Sequence, residues 1–205
     1  IGHAGPVANA KSNAATALAS SKSFNPISLK ITKAISDDEI TRVTLDYAQG
    51  WPAITDLDAN VRFEGTGMFI EAKKGRVLGT SLGTVKADIP HLGAPDPLLT
   101  VAGEATGPTS EFLSFVAQSP VERWTDHALR GVHAVGDGRL ALKFALPLVA
   151  HERVTVEGDY EILGNQVRFA GLPALTNLSG HVLFDQNGVR SRDLALDVLG
   201  GKAHL

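Results

Sequence analysis

The sequence predicts a mainly β fold: an elongated antiparallel meander with one or two short helices around residues 109–129. Two observations indicate this class, namely short runs in which apolar and polar residues alternate, and Gly, Asn, Asp or Pro between those runs. Because side chains alternate between the two faces of a strand, each run places its apolar residues on one side of a sheet. Strands joined in succession by short turns form a meander.

The clearest strand is predicted over Arg139 to Leu148, where Leu140 and every second residue after it is apolar. Val154 to Ile162 repeats the pattern. Shorter alternating runs occur at residues 59–63, 167–169, 182–184 and 194–198. Asp137-Gly138 and Asn187-Gly188 are predicted to form tight hairpin turns, because glycine after Asp or Asn readily supplies positive φ.

A helix is predicted to interrupt the strands. Pro108-Thr109-Ser110-Glu111 is a start signal, and the next residues form an apolar stripe at helical spacing before Pro120 ends it. Residues 121–129 are predicted to form a second short helical turn.

Alternating apolar runs begin at Ile27. We predict two parts of the chain, an N-terminal arm at residues 1–44 and a repeat-built segment at residues 45–205. The arm contains a possible helix from Ala8 to Ser20. Within the second part, residues 52–67 are echoed at 173–188, where Pro-Ala-Ile-Thr-Asp-Leu returns as Pro-Ala-Leu-Thr-Asn-Leu. Repetition of a strand unit predicts a sheet that is extended by successive copies of that unit. We expect the chain to be a segment of a longer protein, with any membrane anchor outside it.

Composition and motifs argue against most forms of chemistry. With 0 cysteines and a net charge of −3, the chain has neither a thiolate metal site nor the basic stripe that nucleic acid requires. Its histidines lack the spacings that place two imidazoles on one metal. Gly79 to Gly83 fits the letters of a nucleophile elbow around Ser81, but Thr84 to Ile89 alternates like a strand, which favours a turn. We predict no enzyme, no cofactor and no metal.

Several segments together resemble the YhdP branch of the AsmA-like (TamB/AsmA/YhdP) envelope proteins, over about residues 45–205. The first is Leu45 to Ile54, which reads LDYAQGWPAI. The others, in the expected order, are Ala87 to Leu92, Leu99 to Gly107, Phe112 to Val121, Leu140 to Leu148, Leu183-Phe184 and Gly200-Gly201.

This resemblance implies a fold and a function. The sheet would curl into a taco-like groove lined by apolar side chains. The parent protein would be anchored in the inner membrane of a Gram-negative bacterium and extend through the periplasm. There it would carry phospholipids between the inner and outer membranes, as part of outer-membrane biogenesis and without catalytic residues. The partners implied are phospholipid acyl chains, the inner membrane through the parent's anchor, and envelope proteins.

The alternation and the resemblance together predict which side chains line the groove. They are Val61, Phe63, Met68, Ile70, Leu140, Leu142, Phe144, Leu146, Val154, Val156, Val167, Phe169, Val182 and Phe184. The same alternation also fits an ordinary sandwich with a closed core, which patterning alone would favour. A second alternative is a scaffolding β-domain of the envelope that binds protein partners through its edge strands.

Overall fold

A computed structural model describes residues 30–36, 39–46, 50–149 and 153–205, and this part of the chain is mainly β. The possible helix from Ala8 to Ser20 lies outside these residues. The strands are β1 (Lys30–Ser36), β2 (Glu39–Asp46), β3 (Ile54–Glu64), β4 (Gly67–Val77), β5 (Thr80–Ile89), β6 (Leu98–Pro108), β7 (His133–Pro147), β8 (Thr155–Arg168), β9 (Leu175–Asp185), β10 (Gly188–Val198) and β11 (Gly201–His204).

All eleven strands belong to one antiparallel sheet, and their order in space is their order along the chain. The predicted meander is therefore confirmed. No second sheet lies among the described residues, so this part of the chain is not the two-sheet sandwich that patterning alone favoured. The sheet is also not closed on itself, because β1 and β11 stand at opposite ends of the strand order.

The predicted helices are also present, as α1 (Thr109–Ala117) and α2 (Val121–Trp124). They lie between β6 and β7, two strands that pair with each other as far as Pro108 and Asp137. Proline precedes both helices, at Pro108 and Pro120, where its fixed φ and missing N–H cost a helix nothing.

The prediction of a hairpin turn at Asp137-Gly138 is wrong, whereas Asn187-Gly188 does lie where β9 turns into β10. Asp137 is inside β7 and pairs with Pro108 on one side and Leu163 on the other. Gly138 is required for a different reason, because a side chain there would overlap the phenol of Tyr160. Close approach of a ring, rather than positive φ, explains this glycine.

Both copies of the sequence echo form the first strand of a hairpin. Asp56 in β3 and Asn177 in β9 occupy equivalent positions and adopt φ of 51° and 53°. The structure extends the echo by a further turn: Leu78 and Leu199 follow β4 and β10 at the same offset, with φ of 52° and 51°. Positive φ is rare for leucine, so its return at equivalent positions shows that the copies share a local conformation.

Buried apolar side chains gather in two clusters near opposite ends of the strands. One contains Ala134, Ile162, Val167, Leu178 and Leu196, with α1 packed against it through Leu113. The other contains Met68, Ile89 and Leu148, with Leu92 from the β5–β6 loop beside it. The sheet is thus anchored at both ends of its strands.

Candidate functional site

One face of the sheet, which we call the apolar face, carries unbroken rows of apolar residues that cross from strand to strand. Residues directly opposite in neighbouring strands point to the same face, so the strand register defines each row. The Leu142 row runs through eight strands as Ala59, Ala72, Val85, Gly103, Leu142, Gly158, Phe184 and Val189. The Phe144 row runs beside it as Val61, Ile70, Ala87, Val101, Phe144 and Val156.

The middle of the apolar face is only half-buried. Ile70, Leu142, Phe144, Val156 and Phe184 are all of intermediate exposure. At the β3 side the rows are more open still, with Val61 54% and Phe63 43% exposed. A sealed core would bury such residues completely, so the apolar face remains accessible to a ligand from above.

Most of the predicted lining residues share the apolar face, and four are placed differently. Val167 is 7% exposed and belongs to the buried cluster beneath α1, and Met68 is 9% exposed and belongs to the buried cluster at the other end of the strands. Val154 precedes β8 and Phe169 follows it, so neither has a strand neighbour in register. Within the face, the prediction omitted the small residues of β5 and β6, including Ala87 and Gly103. The period-2 pattern of Val85, Ala87 and Ile89 was the signal that could have identified the residues of β5.

The opposite face is polar. The Lys143 row contains Asn60, Glu71, Lys86, Ala102, Lys143, Glu157, Asp185 and Gly188. An open depression of about 530 Å³ lies over its centre, lined by Lys86, Lys143 and Glu157 among others. Two of the predicted lining residues, Phe144 and Val156, also border this depression. Ion pairs reinforce the same face, including Arg139 with Glu161 at 3.1 Å.

Helix α1 lies across one end of the apolar face and contacts strands that are distant in the sheet. Its Phe112 ring packs edge-on to Tyr160 of β8 at 5.1 Å between centroids. Its Phe115 ring lies 5.8 Å from Trp51, which precedes β3. Glu111 accepts a hydrogen bond of 3.1 Å from the backbone N–H of Gly79, in the β4–β5 turn. One short helix therefore links the β3 and β8 sides of the sheet.

A buried polar network fastens the first residue of α1 to β8. The hydroxyls of Thr109 and Tyr160 are 2.7 Å apart, and the side-chain amide of Asn165 donates to the Thr109 hydroxyl. Asn165 is fully buried, and its Oδ1 atom has no hydrogen-bond partner among the described residues. Burial is the main cause that raises the pKa of Tyr160, with the charge of Asp137 adding to it and the Thr109 hydrogen bond opposing it.

The raised pKa of Tyr160 predicts a loss of stability in alkali. The folded state favours the neutral phenol of Tyr160. The contribution of this group to the free energy of unfolding is therefore complete below the pKa of about 10 in the unfolded chain, and it is lost as pH rises through the pKa of the folded state. Tyr47→Phe leaves Tyr160 as the single tyrosine of the chain. We expect phenolate absorbance in that variant to appear at a higher pH in the folded protein than in urea. Coincident titration curves would contradict a buried phenol at this position.

The candidate catalytic features do not assemble into a reactive site. Ser81 lies in β5 and pairs with Arg76 and Thr106, with a strand after it where a nucleophile elbow needs a helix. His127 is exposed beside Glu122, and a hydrogen bond from Arg130 is the main cause that lowers the pKa of that carboxyl. Among the residues that the structure describes, no group of three or more His, Cys, Asp or Glu side chains is placed to hold a metal ion.

These features define a class of protein: a single-sheet antiparallel meander that offers a continuous apolar face. The chain belongs to the YhdP family, because the sequence model described as "YhdP protein" matches residues 37–205. The resemblance to the YhdP branch of AsmA-like proteins is thereby confirmed.

A curated relative is the intermembrane phospholipid transporter YhdP of Escherichia coli (strain K12), which is 26% identical over 152 residues. The match covers 72% of this chain and 12% of that relative, so the chain spans about an eighth of the relative's length. No solved structure matches the chain. In the described part of the chain, no helix is both long and apolar enough to cross a membrane.

Proposed function

We propose that this chain is a non-catalytic segment of a phospholipid-carrying groove, in which acyl chains move across the strands along the apolar face. The observation that carries the proposal is the Leu142 row, which is apolar on eight successive strands and only half-buried at its centre. The name of the E. coli relative, a phospholipid transporter, supports acyl chains as the ligand.

The dimensions of the face suit this ligand. Strands are spaced by about 4.8 Å, so a row crossing eight of them extends for roughly 34 Å. The hydrocarbon core of a bilayer is about 30 Å thick, and the tails of one lipid occupy about half of that. Each methylene removed from water gains about 0.8 kcal/mol, so an apolar row of this length can hold a lipid tail throughout its passage.

The contacts of α1 support a curled sheet. Five strand spacings separate β3 from β8, about 24 Å in a flat sheet. A nine-residue helix is only about 13 Å long, yet α1 contacts both Trp51 and Tyr160 through single aromatic rings. Curvature of the apolar face around α1 accounts for these contacts, and in that arrangement the helix narrows one side of the groove.

The setting of the whole protein is part of the proposal. A groove that carries phospholipid between two membranes belongs in the periplasm of a Gram-negative bacterium, with the parent protein anchored in the inner membrane. A division into an arm at residues 1–44 and a repeat-built groove segment at residues 45–205 remains our proposal for the domain organisation. The equivalent Asp56 and Asn177 conformations favour the repeat.

A scaffold that binds envelope proteins is the second candidate. It is favoured by the strand order, because among the described residues β1 and β11 each have one neighbouring strand. An open sheet edge can bind a further strand from another protein. The two candidates differ in which surface matters: the scaffold uses the edges, and the groove uses the apolar face.

Photo-crosslinking in living cells tests the proposed function. The full-length protein would carry a reactive amino acid either at Phe144, on the apolar face, or at Lys143, its neighbour on the polar face. We expect labelled phospholipid to be captured at Phe144 and not at Lys143. Equal silence at both positions, with the protein present and folded, would contradict the groove and favour the scaffold.

A further inference from the structure

Three bulky side chains on the apolar face lie over glycines of the neighbouring strand. The Val85 side chain covers Gly103, the Tyr160 ring covers Gly138 and the Phe184 ring covers Gly158. At each of these glycines a Cβ atom would lie closer to the covering side chain than atoms can approach. Aromatic rings that cover strand glycines in this way lie along the sheet instead of standing on it.

Gly158 and Phe184 form such a pair in the middle of the Leu142 row. They are direct partners across β8 and β9, and the far end of the ring, from Cε1 through Cζ to Cε2, occupies the space where a Cβ at position 158 would be. The ring therefore extends from β9 over Gly158 of β8. A ring that lies along the sheet in this way occupies less of the space above the sheet than a ring standing on it would.

We infer that the Gly158–Phe184 pair sets the clearance of the groove, and so decides whether an acyl chain can pass from β10 to β7. This inference rests on the proposed function. The first methyl group added at position 158 must displace the ring, and the ring can turn about its own side-chain bonds. Because the sheet lies below it and β10 beside it, the displaced ring rises into the groove. The sheet itself has no need to move.

The test places the reactive amino acid on either side of the pair in the full-length protein, at Phe144 or at Val189, with Gly158→Ala added to each. Wild-type protein should capture labelled phospholipid at both positions. In Gly158→Ala, capture should fall about tenfold on the side that the lipid reaches second, and remain on the other side. Gly83→Ala is the matched control, because a Cβ there meets only Glu104 at an ordinary 3.7 Å.

A second substitution distinguishes obstruction by a raised Phe184 ring from structural damage to the sheet. Gly158→Ala with Phe184→Ala should restore capture on both sides, since the obstructing ring is gone. If Gly158→Ala did not fold, Phe184→Trp would enlarge the ring above the unchanged glycine and should produce the same asymmetry. Equal capture on both sides in folded Gly158→Ala, or no recovery in the double variant, would overturn the inference and leave the groove intact. Absence of capture in the wild-type protein would overturn the proposed function itself.

Discussion

Glutamate at position 144 should stop lipid movement along the groove and leave the sheet folded. Phe144 is half-buried on the apolar face, with Val101 and Val156 as its strand neighbours. A carboxylate at this position can still reach water, so we expect stability to fall by only about 1–2 kcal/mol. An acyl chain crossing the same point would lose contact along two or three methylenes, or about 2 kcal/mol, and would also have to displace the hydration of the charge.

Two control variants are compared with Phe144→Glu. Ala102→Glu places the same charge on the polar face, between Lys86 and Lys143, and should leave lipid capture unchanged. Ile162→Glu places it in the buried cluster beneath α1, where the side chain is 8% exposed, and should unfold the protein. The measurements are the urea unfolding midpoint and phospholipid capture by the full-length protein. If Phe144→Glu unfolded as readily as Ile162→Glu, the apolar face would be a closed core.

The scaffold alternative predicts a different outcome for the same variants. A protein that works through its sheet edges should keep its partners in Phe144→Glu, because position 144 lies in β7 near the middle of the strand order. Retained activity with a charge on the apolar face would therefore indicate that the protein functions through the edges of its sheet. Loss of activity without unfolding would indicate that it functions through the apolar face.

The strands that could be predicted from the sequence are those whose signal is local. Alternation of large apolar residues identified β7 to β10, and Pro108 with the apolar stripe that follows identified α1. By contrast, β5 alternates only from Thr84 to Ile89, and β6 places small residues such as Gly103 on the apolar face, where the alternation is weak.

The features that could not be predicted from the sequence depend on contacts between residues far apart in the chain. The sequence around Gly138 predicts a turn, and only the contact with Tyr160 of β8 shows why glycine is needed at this position. The same holds for Gly158 beneath Phe184. Strand register decides both contacts, and register is a property of pairs of strands. Alternation defines the face of a residue inside a strand, whereas Val154 and Phe169 lie beyond the ends of β8 and have no strand partner in register.

Alanine at position 180 should cause the largest loss of stability of any single methyl group added to this sheet. Gly180 has φ of +127°, and a Cβ there would overlap the backbone oxygen of Asp193 and lie 2.9 Å from the Cα of Leu194. These are backbone atoms of β10, so no rotation of a side chain can relieve the contact. Strand β9 would have to separate from β10 beside the buried Leu178 and Leu196. We expect a loss of about 3–5 kcal/mol in the free energy of unfolding.

Gly200→Ala is the control that isolates the contact from the backbone conformation. Gly200 also has positive φ, at +81°, but nothing lies within 4 Å of the position of its Cβ. Its substitution should cost about 1–2 kcal/mol, the strain of the left-handed region alone. Urea unfolding of the two variants measures the difference. Equal losses would mean that β9 and β10 can separate beside Gly180 without an energetic cost beyond the strain of the left-handed conformation.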